Sequence, residues 1–150
     1  MNTKVLVLAT LCSVATHIHA ADNCTGSEAT VDSYTETFEV SKDHSLTMVR
    51  SASIVMSEDA PMYNFTTGEC TASVLATPDG KTQATGHCLR RDKDGDAWSL
   101  EWAQPPGTDK GTWKTVGGTG KFAGKRSSGW FQEVRRDGKL AAIRWGGSCK

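Results

Sequence analysis

The sequence predicts an all-β protein: a single antiparallel β-barrel of about eight strands, cross-linked by disulfides and preceded by a signal peptide. Three observations indicate this fold class. The chain of 150 residues has the length of one domain. Beyond the N-terminal segment, no window of about a dozen residues keeps the helical spacing of apolar side chains. Instead, short β-prone stretches are separated by turns rich in Gly, Pro and Asp, which is typical of sandwiches and barrels.

The N-terminal segment has the three parts of a secretory signal. Lys4 supplies a basic start, residues 5–11 form an apolar run, and small or polar residues lead to Ala20. The pattern predicts cleavage after Ala20 or the residue that follows it. Residues 1–20 are then a signal peptide and residues 21–150 the barrel domain, and the mature protein is expected to be secreted or periplasmic.

The strands of the barrel are predicted from β-prone residues bounded by turn residues. The candidate strands are Val31–Val40, Ser45–Ser57, Cys70–Thr77, Lys81–Arg91, Asp96–Ala103, Gly111–Val116, Thr119–Ala123, Gly129–Arg136 and Lys139–Gly146.

Turn chemistry predicts how the central strands pair. Pro78-Asp79-Gly80 suits a three-residue hairpin loop, and counting outward from it places Cys70 opposite Cys88. The same kind of loop at Lys93-Asp94-Gly95 places Trp98 and Trp102 on the face of Cys88. Apolar and small side chains share this face, which is therefore predicted to point inward.

Cysteine arithmetic supports two disulfides. Loss of the signal peptide removes Cys12, so the five cysteines of the chain become four, an even number suited to an oxidising compartment. With Cys70 and Cys88 paired across neighbouring strands, Cys24 and Cys149 are expected to join the two ends of the domain. Zinc is not expected, because the chain has no Cys-x-x-Cys spacing and His87 and Cys88 point to opposite faces of a strand.

The last hairpin is predicted to turn at Asp137-Gly138 as a two-residue loop. This register places Trp130 opposite Trp145 and puts Gln132 on the same inward face. Trp113 is assigned to the interior by alternation.

Charge and hydropathy argue against two classes of partner, nucleic acids and membranes. Lys plus Arg equals Asp plus Glu at 17 each, so no whole-chain charge favours a nucleic acid. No apolar stretch reaches the 18 residues that a transmembrane helix needs, and no membrane insertion is expected. Bases concentrate in the second half of the chain, where a run of them is most often a solvated face. The candidates for a basic binding surface are Lys121, Lys125, Arg126, Arg135 and Arg136.

Motifs that would carry chemistry lack their context. Residues 118–123 spell a dinucleotide fingerprint, but no helix pattern follows them. Residues 92–96 resemble a calcium loop, but the spacing fits a hairpin turn better. His87 is expected to form a surface pair with Glu101. No cofactor, metal or catalytic residue is predicted, and Asn23 and Asn64 are formal glycosylation acceptors.

One segment resembles a known group of proteins. Residues 111–124 contain Val-Gly-Gly-Thr-Gly followed by a basic residue and Phe, and Ser127–Phe131 continue with a Gly-aromatic strand. This stretch resembles the dirigent and allene oxide cyclase-like β-barrels. The resemblance implies an eight-stranded barrel with an apolar lumen that binds small hydrophobic molecules, sometimes steering a cyclisation or coupling. No polar active-site residue of those families is matched to a position here.

These features together predict a binding module for small apolar or aromatic molecules, without catalysis of its own. Bulky rings separated by small inward residues can form a cleft with aromatic walls. The predicted ligand-binding residues are Trp98, Trp102, Trp113, Trp130 and Trp145, with Arg90 and Gln132 as polar contacts. Two alternatives stay open: a cyclase-like enzyme in the same barrel, and an envelope or host-interacting protein that uses the basic face.

Overall fold

Alternating strands and tight turns build a closed antiparallel barrel in residues 23–150, the part of the chain that this computed structural model describes. Each strand pairs with its neighbours in sequence, and the first strand pairs with the last. The predicted fold class is confirmed, while the predicted signal peptide lies outside the described residues. The eight strands are β1 (Asn23–Ser41), β2 (His44–Met56), β3 (Thr67–Ala76), β4 (Thr82–Arg91), β5 (Ala97–Gln104), β6 (Lys110–Gly118), β7 (Ser128–Asp137) and β8 (Leu140–Ser148).

The predicted registers of the central hairpins are confirmed. The backbone N–H of Thr77 donates to the Lys81 carbonyl at 2.9 Å, which closes the three-residue loop between β3 and β4. Cys70 therefore lies opposite Cys88. In the next hairpin Trp98 pairs with Arg90 on β4. All four of these ladder residues are buried.

Both predicted disulfides are present. Cys70–Cys88 bridges β3 and β4, and Cys24–Cys149 joins the first strand to the end of the chain. The terminal bridge lies where β1 pairs with β8, because Cys24 is aligned with Gly147 across that ladder. It therefore reinforces the closure of the barrel.

The predicted register of the last hairpin is wrong. Gly138 and Lys139 form the turn, and Asp137 pairs with Leu140. Gly138 has φ +57°, and a two-residue hairpin turn requires such an angle at its first position, so the turn starts one residue later than predicted. A bulge between Glu133 and Arg135 then shifts the register again.

The net shift of one residue reverses which face of β7 points inward. Trp130 lies opposite Gly146, and its side chain is on the outer surface with 43% exposure. Phe131 takes the position opposite Trp145. Because side chains alternate along a strand, Gln132 also moves from the predicted inner face to the outer face.

The predicted strand over Thr119–Ala123 is also wrong. Residues Gly120–Phe122 form a single turn of 3₁₀ helix. Gly120 has φ +50°, which an extended strand cannot contain, and the backbone N–H of Lys121 donates to the Asp96 carboxylate at 3.1 Å. The turn directs Phe122 into the core, where it is buried. Among the described residues, no helix has the length and apolarity that crossing a membrane requires.

One end of the barrel is closed by aromatic side chains. This closed end is formed by loop 57–66, turn 92–96 and segment 119–127. Tyr63 from the first of these packs 4.7 Å from the ring of Trp98 and 5.7 Å from that of Phe122, measured between centroids. The opposite end, called the open end below, carries the tight turns β1–β2, β3–β4 and β7–β8 and the β5–β6 loop.

Removing each disulfide separately should reveal the contribution of closure. The Cys24–Cys149 bridge spans 125 residues and Cys70–Cys88 spans 18. On the chain-entropy model, replacing the first pair by Ala should lower the free energy of unfolding by about 5 kcal/mol, and the second by about 3 kcal/mol. Urea unfolding of the two double variants measures both values. Equal losses, or a larger loss for Cys70→Ala/Cys88→Ala, would contradict this account.

Candidate functional site

The barrel contains a cavity of about 470 Å³ in its lumen. This volume lies within the range of pockets that hold small organic molecules. The wall is mainly apolar, with aliphatic side chains such as Val49, Leu100 and Ile143 between the aromatic rings. The cavity extends from Tyr63 at the closed end to Gln104 near the open end.

Four of the five predicted tryptophans line this cavity: Trp98, Trp102, Trp113 and Trp145. Their inward placement is confirmed, and their role in binding stays a prediction. Two of the indoles are fixed by hydrogen bonds to backbone carbonyls. Trp113 Nε1 donates to the Trp130 oxygen at 3.1 Å, and Trp145 Nε1 donates to the Ser27 oxygen at 3.3 Å. Backbone carbonyls of the barrel wall therefore hold these two indoles in position, and no partner inside the cavity is required.

Large rings fit inside this narrow barrel because they lie over glycines of neighbouring strands. A Cβ at Gly86 would overlap the ring of Trp102, and a Cβ at Gly26 would overlap that of Trp145. Gly111 stands in the same relation to Phe131. Each ring thus occupies the space that a side chain on the adjacent strand would need.

Two predicted site residues do not reach the cavity. Trp130 lies on the outer surface, and Gln132 donates from Nε2 to Asp109 at 2.5 Å, also outside the barrel. In their place the structure brings in Phe131, which packs edge-on against Trp102 with 5.5 Å between ring centroids. Tyr63 was also missed, since it comes from a loop whose sequence has no strand periodicity.

Arg90 lies inside the lumen, as predicted, and has an unforeseen partner. Its Nη2 donates to Glu28 Oε1 at 2.6 Å, and the whole Arg90 residue is only 2% exposed. The guanidinium carbon lies 5.4 Å from the centroid of the Trp98 ring, a cation–π arrangement. Glu28 is on β1 and Arg90 on β4, so this ion pair spans the lumen.

A second charged group lies near the open end. Arg136 donates to Asp32 at 2.8 Å and to both carboxylate oxygens of Glu133. All three residues line the cavity. The Arg136 side chain is 44% exposed, so it lies at the rim of the lumen, where Asp32 and Glu133 engage it. Because the hydrogen bonds that Arg136 donates to Glu133 favour the charged form of the guanidinium, the pKa of Arg136 is raised above its ordinary value.

Lys121, also assigned to the basic surface, is paired at the closed end. Its Nζ lies 2.6 Å from the Asp92 carboxylate. That hydrogen bond is the main reason why the pKa of Asp92 is lowered. Asp92 Oδ1 also accepts the backbone N–H groups of Asp94 and Asp96, which makes residues 92–96 a hairpin turn, as predicted.

A hydrogen bond fixes the aromatic plug of the closed end. The hydroxyl of Tyr63 is 2.8 Å from Ser127 Oγ, and both residues are buried. Burial raises the pKa of Tyr63, an effect that the hydrogen bond with Ser127 partly offsets. The phenol therefore keeps its proton and serves as a structural contact.

The outer surface carries the predicted pair of His87 and Glu101. Their side chains are 3.9 Å apart and exposed, and Lys114 approaches the same carboxylate at 2.7 Å. The hydrogen bond from Lys114 is the main cause of a lowered pKa of Glu101. Within residues 23–150, no group of three or more His, Cys, Asp and Glu side chains is arranged to hold a metal ion.

Comparison with solved structures identifies a similar fold. A structure described as the pterocarpan synthase dirigent protein GePTS1 matches with a TM-score of 0.50 and 10% sequence identity. The match covers 95% of this chain and 98% of that protein. No protein-family model and no curated protein matches the sequence. The chain therefore has a dirigent-like barrel fold, which agrees with the dirigent part of the resemblance at residues 111–131.

Two glycines of β6 offer a matched test of the ring-over-glycine packing. In Gly111→Ala the new Cβ would overlap the Phe131 ring and lie 2.6 Å from the Ala103 carbonyl oxygen. In Gly117→Ala the nearest atom is Ser99 Oγ at 3.6 Å. Gly111→Ala should lower the free energy of unfolding by about 1–3 kcal/mol, whereas Gly117→Ala should change it by less than about 0.5 kcal/mol. Thermal and urea unfolding check both values, and similar losses would refute the packing.

The ion pair across the lumen can be tested by a double-mutant cycle. Arg90→Met should lower the free energy of unfolding by about 3–5 kcal/mol, because it leaves the Glu28 carboxylate buried without its partner. Adding Glu28→Gln removes that charge and should restore most of the loss. The stabilities are compared by urea unfolding at neutral pH. A double variant no more stable than Arg90→Met would show that the pairing is not the cause.

Proposed function

We propose that this protein is a secreted, non-catalytic barrel that binds small apolar or aromatic molecules in its lumen. The observation that carries the proposal is the cavity of about 470 Å³, which has four tryptophans and Phe131 in its wall. A concave, mainly apolar site with few polar groups is the usual form of a small-molecule pocket. The similar structure is named a pterocarpan synthase dirigent protein, and a ligand-handling role in such a barrel agrees with that name.

Export of the protein is part of the proposal. Two disulfides connect the four cysteines of the described chain, and such bonds persist in oxidising compartments. The basic and apolar segments of residues 1–20 supply the export signal. The compartment is then the periplasm or the exterior of the cell.

A cyclase-like enzyme is the second candidate, and one observation favours it. The lumen contains the polar groups that such an enzyme needs: the Glu28–Arg90 pair within the cavity, and Asp32 with Glu133 near the open end. Turnover of a bound ligand by the wild type, lost in Glu133→Gln, would support this candidate over simple binding. For the surface-binding alternative, the support is smaller, because Lys121 and Arg136 are already engaged in ion pairs.

Binding can be tested with the neutral fluorescent dye N-phenyl-1-naphthylamine. Its emission should rise saturably with one site per protein, and tryptophan emission should fall in parallel, because the indoles line the same cavity. Trp102→Leu removes a ring from the wall and should weaken binding about threefold to tenfold. Trp130→Leu is the matched control, since that indole lies outside the barrel.

The outcomes separate the lumen from other dye sites. Equal weakening by Trp102→Leu and Trp130→Leu would place the dye elsewhere. Linear, unsaturable emission in the folded wild type would refute a small-molecule site for this class of ligand.

A further inference from the structure

The lumen next to the closed end holds buried hydrogen-bond donors without acceptors. Four side-chain atoms there have no hydrogen-bond partner among residues 23–150: Ser53 Oγ, Arg90 Nε, Arg90 Nη1 and Trp98 Nε1. Arg90 and Trp98 line the cavity, and all three residues are buried. Buried donors without partners are rare in folded proteins because each forfeits its bonds to water. Their grouping in one place therefore calls for an explanation.

Strand register places these donors in one row. Ser53 on β2 pairs with Gly68 on β3, Gly68 pairs with Arg90 on β4, and Arg90 pairs with Trp98 on β5. Paired residues share a face of the sheet, and this face is the inner one. Gly68 contributes no side chain between the hydroxyl and the guanidinium. We call Ser53, Arg90 and Trp98 the donor row.

The donors outnumber the nearby acceptor. Glu28 Oε1 accepts one hydrogen bond from Arg90 Nη2, which balances the charge of the guanidinium but leaves Nε and Nη1 unused. The indole Nε1 and the guanidinium can donate hydrogen bonds but cannot accept them. A ligand group that matches this row must therefore offer hydrogen-bond acceptor lone pairs. A carbonyl or carboxylate oxygen has this property, whereas a hydrocarbon or an ammonium group does not.

We propose that the donor row is a recognition subsite for a carbonyl or carboxylate oxygen on an otherwise aromatic ligand. The inference rests on the proposed ligand-binding function and adds the chemical class and orientation of the ligand. The oxygen lies at the donor row, and the rings extend between Trp102, Trp113 and Phe131 toward the open end. Trp113 and Trp145 do not compete for the oxygen, because their Nε1 groups already donate to backbone carbonyls.

Three naphthalenes of similar size test the subsite by displacing N-phenyl-1-naphthylamine from the wild-type protein. They are 2-methylnaphthalene, which has no acceptor, 2-acetylnaphthalene, which has a neutral carbonyl, and 2-naphthoate, which has a carboxylate. At least one of the two oxygen-bearing compounds should bind about tenfold more tightly than 2-methylnaphthalene, the gain expected from one or two buried hydrogen bonds. Whichever binds more tightly identifies the natural head group as neutral or anionic.

Single-donor variants assign the effect to the row. Trp98→Phe keeps an aromatic ring but removes Nε1–H, and it should reduce the preference for the tighter oxygen-bearing compound over 2-methylnaphthalene about threefold. Trp130→Phe removes an indole on the outer surface of the barrel and should leave the preference unchanged. Ser53→Ala, a smaller change to the core, provides a second donor deletion with the same expected direction.

Failure of this inference differs from failure of the proposed function. Equal affinity for all three naphthalenes, with the dye still binding saturably, would overturn the subsite and leave the ligand-binding barrel intact. The same would follow if Trp98→Phe and Trp130→Phe changed the preference equally, or if Ser53→Ala left it unchanged. Absence of saturable dye binding would instead refute the function on which the subsite rests.

Discussion

Closure of the sheet between β1 and β8 is the constraint on which the rest of the structure depends. Nine residue pairs, from Asn23 with Ser148 to Val31 with Leu140, join these strands. An open sheet would expose unpaired edges along both of its outer strands. Closure removes most of this edge and converts one sheet face into an enclosed lumen. Every second residue of each strand then points into a limited space, which makes side-chain volume and strand register decisive.

The limited diameter explains how a lumen rich in tryptophan still contains a cavity. Trp102, Phe131 and Trp145 each lie over a glycine of the adjacent strand, close against the wall. Rings held flat in this way leave space along the barrel axis, whereas rings extended toward the axis would fill it. Pairing each bulky ring with a glycine on the adjacent strand therefore gives a close-packed wall and leaves the cavity open.

Charges inside the barrel are arranged in pairs that connect separate strands. Arg90 on β4 reaches Glu28, and Arg136 on β7 reaches Asp32. Both acids are on β1, the strand that closes the barrel. Buried charges are tolerated only when they are paired and hydrogen-bonded, so the contact with Glu28 keeps the buried Arg90 compatible with an apolar lumen. The two pairs also confine the polarity of the lumen to one group beside the closed end and one near the open end.

The sequence by itself determined eight of its nine candidate strands in outline, the closed antiparallel architecture and both disulfides. These depend on turn chemistry, on alternation and on the number of cysteines. The residues Pro78-Asp79-Gly80 fit a three-residue hairpin loop, and a loop of that length aligns Cys70 with Cys88. The tertiary structure alone decided the inner face of β7. The bulge beside Glu133 has no recognisable signature in the local sequence, yet it moves Trp130 out and Phe131 in. Likewise, the ion pair between Glu28 and Arg90 depends on barrel closure, because only closure places β1 and β4 opposite each other across the lumen.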